Sequence, residues 1–303
     1  MSRLWKIALA SAVASASFVA FVACGTDTFS NVPDASGDSA HPLDGAGLSD
    51  AAPPDASPWL RCSDRPLSDG AHLCDDFDDP REAVGGKWNV RSSQPNALID
   101  ASPVAASLPN AFFSWIGVSS GTYAQIAHQP GISGGSRMRL AFSFRIDPLA
   151  FAGAAPSFDV LIFAAFGFND AACDGGRRKR QLSLLVPKAS GNLSGFARGF
   201  GGGCDEAGAQ DYKTKPLGPT VDSMRGVWVA AALLVQRNVD CAGAATSGAS
   251  YHVALDGVER ACFDLQIDPF ADLSNMYVSL GLAGISITAP GWATFDNVEV
   301  DFD

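Results

Sequence analysis

The chain has 303 residues, and its 21 Lys and Arg against 32 Asp and Glu give a formal net charge of −11, a balance that argues against a nucleic-acid partner. Apolar residues make up 47% and cysteines number seven, which is enough for a large core and for the disulfides of an exported protein. Only His41, His72, His128 and His252 are available as imidazoles, and none stands beside an Asp or Cys pattern, so histidine-centred catalysis is not expected.

At the amino end, Arg3 and Lys6 precede an apolar run from Ile7 to Ala23, the layout of a secretory signal. Phe21-Val22-Ala23-Cys24-Gly25 resembles the lipobox of bacterial lipoproteins, with Phe21 where Leu is usual. The resemblance implies that residues 1–23 are removed as a signal peptide and that Cys24 carries lipid and holds the protein to a membrane. Gly25 in place of an Asp implies the outer membrane or cell surface. A membrane span is the alternative, but the run is near the lower length limit and no basic stop follows it. From residue 24 to 58 the chain turns to Asp, Ala, Ser, Gly and Pro without any Lys or Arg. Such a segment has too little apolar surface to offset its ordering entropy, and it reads as a disordered tether.

Residues 59–303 read as one all-β domain. The clearest strand is Arg137 to Ile146, where Met138, Leu140, Phe142, Phe144 and Ile146 share one face and arginines the other. Similar runs are 73–78, 97–100, 111–117, 123–128, 158–166, 181–186, 250–256 and 276–284. Residues 227–239 are apolar on both faces at first, which reads as a central strand covered on both sides. The closing run alternates Val298, Val300 and Phe302 with Glu299, Asp301 and Asp303. It needs a partner laid down earlier, and Leu73 to Asp78 is the best one. About twelve strands and no helices predict a two-sheet antiparallel sandwich.

The opening Asp75-Asp76-Phe77-Asp78 with Trp88, and the closing Phe295-Asp296-Asn297-Val298-Glu299-Val300, resemble the concanavalin A-like lectin/glucanase (LamG-like) jelly roll. Ser107-Leu108-Pro109-Asn110-Ala111, Gly226-Val227-Trp228, Val253-Ala254-Leu255-Asp256-Gly257 and Leu280-Gly281-Leu282 follow in the order of that family's strands. The resemblance implies a jelly roll whose first and last strands lie side by side. It does not fix function.

Setting Cys24 aside leaves Cys62, Cys74, Cys173, Cys204, Cys241 and Cys262, an even set that reads as disulfides. Pairing of sequence neighbours gives Cys62 with Cys74, Cys173 with Cys204 and Cys241 with Cys262. Zinc spacing is absent.

Glu299-Val300-Asp301-Phe302-Asp303 resembles the E-x-D-x-E signature of laminarinase-like glycosidases, which in that family lies mid-domain with cleft-forming strands after it. Retaining hydrolysis needs two carboxyls about 5–5.5 Å apart in a walled site, and the end of a domain does not supply one. Gly117-Val118-Ser119-Ser120-Gly121 fits a nucleophile elbow on paper, but no helix follows it; a turn between strands is expected. Arg177-Arg178-Lys179-Arg180 reads as a solvated loop entering a strand. Asp76 and Asp78 with Asp296 offer hard oxygen ligands for a structural calcium where the chain ends meet. Trp115, Tyr123 and Tyr212 are candidate stacking platforms for sugar rings. These readings lead to the expectation of a surface-tethered, non-catalytic jelly roll that binds polysaccharide or another envelope component. The alternatives are a glycoside hydrolase or lyase with a degenerate signature, and a structural envelope protein.

Overall fold

A computed structural model describes residues 72–75, 77, 88–93, 97–102, 105–106, 111–129, 135–151, 158–170, 178–188, 190–200, 212–270 and 276–302. The expected signal peptide, Cys24, the tether, Cys62, Cys173, Cys204, Asp76, Asp78 and Asp303 lie outside them.

Fifteen strands and one short helix occur among the described residues. In chain order they are β1 (His72–Asp75), β2 (Asn89–Ser92), β3 (Ala97–Ser102), β4 (Ala111–Ile116), β5 (Ser119–His128), β6 (Arg137–Ile146), β7 (Val160–Asp170) and β8 (Arg178–Pro187). There follow β9 (Asn192–Arg198), β10 (Tyr212–Thr220), α1 (Val221–Met224), β11 (Trp228–Val239), β12 (Ala245–Leu255), β13 (Val258–Leu265), β14 (Met276–Ile287) and β15 (Gly291–Phe302). They form two antiparallel sheets. The first runs β13-β12-β11-β6-β15-β4-β3, with β1 also on β15; the second runs β10-β9-β8-β7-β14-β5-β2.

The last strand organises the first sheet. One edge of β15 pairs along β6, while its other edge is shared by two earlier strands: residues 291–295 pair with β4 and residues 298–301 with β1. The expected pairing of the two chain ends is therefore present, as His72↔Asp301 through Asp75↔Val298. At the hand-over from β4 to β1 the register against β6 slips between Asp296 and Glu299, and Asn297 takes φ 51°. This is a β-bulge, which lets one strand follow two differently directed neighbours.

Alternation places Met138, Leu140, Phe142, Phe144 and Ile146 of β6 in the core beside Phe295, Val298 and Val300 of β15. The rings of Phe112, Phe142 and Phe144 lie 5.6, 6.2 and 6.4 Å from that of Phe295, and Phe144 reaches Phe163 of the second sheet at 5.0 Å. Asp75 is buried and accepts from the Trp88 indole at 2.8 Å and from the Phe77 amide at 2.9 Å, which anchors the incoming chain under the core. Residues 227–239 form a central strand as expected, but Trp228, Ala230, Ala232 and Leu234 on its outward side are only half-buried. The expectation of no helix is corrected by α1, one turn closed by a capping box between Thr220 and Ser223.

The Ser114 hydroxyl joins the two sheets where β14 is irregular. In β14 the register against β7 slips between Leu280 and Ala283, and Gly281 adopts φ +119°, where a Cβ would stand 2.4 Å from the Ala124 carbonyl. Ser114, buried on the core side of β4, accepts from the Leu282 amide at 2.9 Å and donates to the Ala124 carbonyl at 2.7 Å. Replacing Ser114 by Ala strips both buried backbone groups of this partner, at about 1–3 kcal/mol each. Ser114→Ala is expected to lower unfolding stability by about 2–4 kcal/mol, measured as a drop in the urea midpoint at unchanged slope.

Candidate functional site

The cross-strand register lays four rows of side chains over the outward face of the second sheet. Tyr277, Gly167, Gln181, Arg198 and Tyr212 stand opposite one another from β14 to β10. The next row is Ala127, Ser279, Ala165 and Ser183. Beyond it come Arg91, Gln125 and Gly281, and then Tyr123 opposite Ala283. Rows on one face are about 7 Å apart at the usual rise of two residues. The row of Ala and Ser is thus a low floor between two rows carrying long polar and aromatic groups.

Each wall has a local cause. A Cβ on Gly167 would sit 2.1 Å from Tyr277 Cζ, so the missing side chain is what lets the Tyr277 ring lie across β7. Arg91 Cζ then stands 5.6 Å from the centre of that ring, a cation–π distance. Gln125 donates from Nε2 to the Gly281 carbonyl at 3.4 Å. Ser93 fixes the start of the opposite wall, accepting from the Tyr123 amide at 2.8 Å and pairing with Thr122 Oγ1 at 2.8 Å. Burial pushes the Arg198 guanidinium below its ordinary pKa. Tyr212 is 60% exposed and stacks on Phe196 at 6.2 Å. In the floor, Ser183 is fully buried and its Oγ has no hydrogen-bond partner.

The residues named from sequence do not form one site. Tyr123 and Tyr212 lie on this face, in separate rows. Trp115 lies on the outward face of the other sheet, opposite Trp292. That face also carries Glu299 and Asp301, whose carboxylates are both bound by Arg139 at 2.5 and 3.1 Å, with His72 Nδ1 on Asp301. His72, Glu299 and Asp301 bring ligand atoms within 4.8 Å of one another, but the guanidinium already occupies the place a cation would take. Asp296 is buried at the bulge, where its Oδ1 accepts from the Asn297 amide at 2.7 Å. Cys241 and Cys262 form a disulfide, and Cys74 is disulfide-bonded too.

No known family profile matches the chain, and no curated protein matches it. Solved structures do. The endo-β-1,4-glucuronan lyase of the fungus Trichoderma reesei superposes with TM-score 0.54 at 16% identity, over 73% of this chain and 93% of that one. This is a jelly-roll sandwich of the concanavalin A-like type. An alginate lyase from a Chlorella virus (TM-score 0.48, 10% identity, 72% of this chain and 94% of that one) and one from Aplysia kurodai (0.43, 13%, 69% and 91%) are also similar.

The likeness to the glucuronan lyase corrects the expectation of a non-catalytic jelly roll, because that neighbour of the same fold is a polysaccharide lyase. The physical error lay in the criterion. A pair of close carboxyls is a requirement of glycoside hydrolysis, whereas a lyase removes a proton next to a carboxylate and needs a cation, a base and an acid instead. Arg91, Gln125, Gln181, Arg198 and Tyr277 were missed for that reason. Their signal in sequence is two-residue alternation, as in Tyr123, Gln125 and Ala127, which marks a face without telling which face is functional.

Tyr251 supports the floor from below, donating from the first sheet to the Ser183 carbonyl at 3.1 Å. Complete burial pushes its phenol well above 10.0. A group whose pKa is raised by folding contributes stability below its unfolded value and loses it as pH climbs toward the folded one. Unfolding free energy is therefore expected to fall with pH above about 10, and Tyr251→Phe should flatten that part of a stability-against-pH series.

Proposed function

We propose that the protein is a polysaccharide lyase acting on uronate-containing chains, exported and held to the cell surface through Cys24. The observation that carries the reading is the set formed by Arg91, Gln125, Tyr123 and Tyr277 around a floor of small side chains, on a fold shared with a glucuronan lyase. In such a cleavage the proton on the carbon next to the carboxylate is removed, the bond to the glycosidic oxygen one carbon further breaks, and a double bond remains. Negative charge gathers on the carboxylate as the proton leaves. Arg91 and the Gln125 amide are the donors available to hold that charge, and a preorganised donor of this kind lowers the barrier by several kcal/mol. Tyr277 and Tyr123 are the groups available to take the proton and to supply one to the leaving oxygen, a role tyrosine can fill. Arg198, Gln181 and the exposed ring of Tyr212 extend the same face toward β10 and suit further sugar units.

Anchoring rests on sequence features: the signal-like residues 1–23, the lipobox-like Phe21 to Cys24 and the acidic tether to residue 58. A polymer too large to enter a cell is reached from such a position. Cys24→Ala is expected to abolish incorporation of labelled fatty acid and to move the protein from the membrane pellet to the soluble fraction.

The decisive experiment supplies polyglucuronate, polymannuronate and a neutral β-glucan to the purified protein. It follows ultraviolet absorbance of unsaturated uronate ends alongside reducing ends. Absorbance is expected from at least one polyuronate and none from the glucan. Reducing ends without absorbance would mean hydrolysis, and no product from any polyuronate would reject the reading. Gly167→Ala, which drives a methyl into the Tyr277 ring, should keep the fold and lose about 100-fold in kcat/KM, the scale of a misplacement of about 1 Å.

A further inference from the structure

At the far edge of the first sheet lies a second cluster of reactive groups, remote in register from the trough. Cys241, in the turn between β11 and β12, is bridged to Cys262 of the edge strand β13 across 21 residues. Register sets His252 of β12 directly opposite Cys262. The ring's Nε2 stands 3.6 Å from Cys262 Sγ and 2.9 Å from Ser250 Oγ, while Nδ1 stands 3.1 Å from Glu259 Oε2. Sulfur and carboxylate thus occupy opposite nitrogens of one imidazole. A chelate would direct both at one point, and this sulfur is already bonded to another. The arrangement is that of an acid–base relay ending on a sulfur.

The position of Cys241 does not depend on its sulfur. Asp240 Oδ1 accepts from the Ala242 and Ala244 amides at 2.9 and 2.8 Å, Asp240 N donates to the Ala244 carbonyl at 2.9 Å, and the Cys241 amide donates to Asp264 Oδ1 of β13 at 2.8 Å. With the sulfur bond open, these bonds still hold Cys241 against β13, so the two sulfurs stay within reach of re-closure. Residues 242–245 of the turn are exposed and both cysteines are half-buried, which leaves an approach from solvent.

We propose that Cys241–Cys262 is an exchangeable disulfide that reacts with low-molecular-weight thiols, Cys262 being the leaving sulfur and His252 with Glu259 the pair that receives its charge. An external thiolate attacks Cys241 Sγ, the bond between the two cysteines breaks, and its electron pair leaves on Cys262 Sγ. That thiolate forms an ion pair with the His252 imidazolium, which carries a proton taken from the solvent on Nε2 and is held by Glu259 at Nδ1. The product is a mixed disulfide at Cys241. A second thiolate attacks the external sulfur of that mixed disulfide, gives the oxidised external disulfide and leaves a Cys241 thiolate; the sum is a two-electron reduction. Exchange is faster when the leaving thiol has a stabilised thiolate, which selects Cys262 over Cys241. Other charged groups near the pair, among the described residues, are Asp240 beside Cys241, Asp264, and Lys213 and Lys215 of β10, whose ammoniums donate to the Asp264 and Cys262 carbonyls.

The test equilibrates the full-length protein in glutathione buffers of graded poise, alkylates free thiols and maps the peptides. Glutathione is expected on Cys241, with Cys262 recovered as the alkylated thiol, and this bridge should open before that of Cys74. His252→Ala is expected to slow exchange at neutral pH about tenfold and to remove the step in its pH profile that the imidazolium creates, with Glu259→Gln intermediate. If His252→Ala fails to fold by circular dichroism, His252→Gln carries the same comparison. An adduct on Cys262, simultaneous opening of the Cys74 bridge, or an unchanged rate and pH profile in a folded His252 variant would each overturn the proposal.

Discussion

The fold depends on a strand that follows, far along the chain, every partner it pairs with. β15 pairs with β6 on one edge and with both β4 and β1 on the other, so β4 and β1 reach the rest of the first sheet only through it. Every pairing it makes joins residues more than a hundred positions apart, and such non-local closure is slow because loop entropy is lost before contacts compensate it. The bulge at Asp296 and Asn297 follows from the same constraint. One strand serving two successive neighbours must change direction where they meet, and a residue with a short polar side chain is among the few that accept a positive φ there.

The second sheet carries its own irregularity at the matching level, and the two are coupled. The slip at Gly281 frees the Leu282 amide from β7, and Ser114, on the strand that pairs with β15 just before its bulge, reaches across the core to satisfy it. A backbone amide of the second sheet is thus satisfied by a hydroxyl from the first. Gly281 also lies in the row of Arg91 and Gln125, and its carbonyl accepts from the Gln125 amide, so the geometry of that wall is inherited from the slip. Tyr251 repeats the device under Ser183, again from the first sheet.

Much of the fold was legible because one face of each central strand is apolar and the other polar. Residues 137–146 and 298–302 show this period directly, and the pairing of the chain ends follows from asking what could partner the last strand. β10 was not legible. It contains Pro216, Gly218 and Pro219, which read as a turn, yet an edge strand tolerates proline since one row of its amides has no ladder partner to lose. The half-exposed outward side of β11 was misjudged for a related reason, as Ala230 and Ala232 look buried when they are merely small. The site was hardly legible at all. Tyr123 and Tyr212 could be named as aromatics, but Tyr277 becomes part of a wall only because Gly167 lies opposite it, and that adjacency exists only once β14 and β7 are in register.

Charge poses the sharpest question for the proposed function, since it has a protein of net charge −11 bind a polyanion. The resolution is local, because exposed charges more than a Debye length of about 10 Å away are largely screened. On the first sheet the outward Arg139 is bound by two carboxylates, so that guanidinium already has its counter-charges. On the second, none of the rows that contain Arg91 and Arg198 includes an acidic residue. Under the proposed function these two guanidiniums, set in register among amides, hydroxyls and rings, are the groups that would meet an anionic chain. Contacts of this kind make binding strongly salt-dependent and favour acidic over neutral polysaccharides.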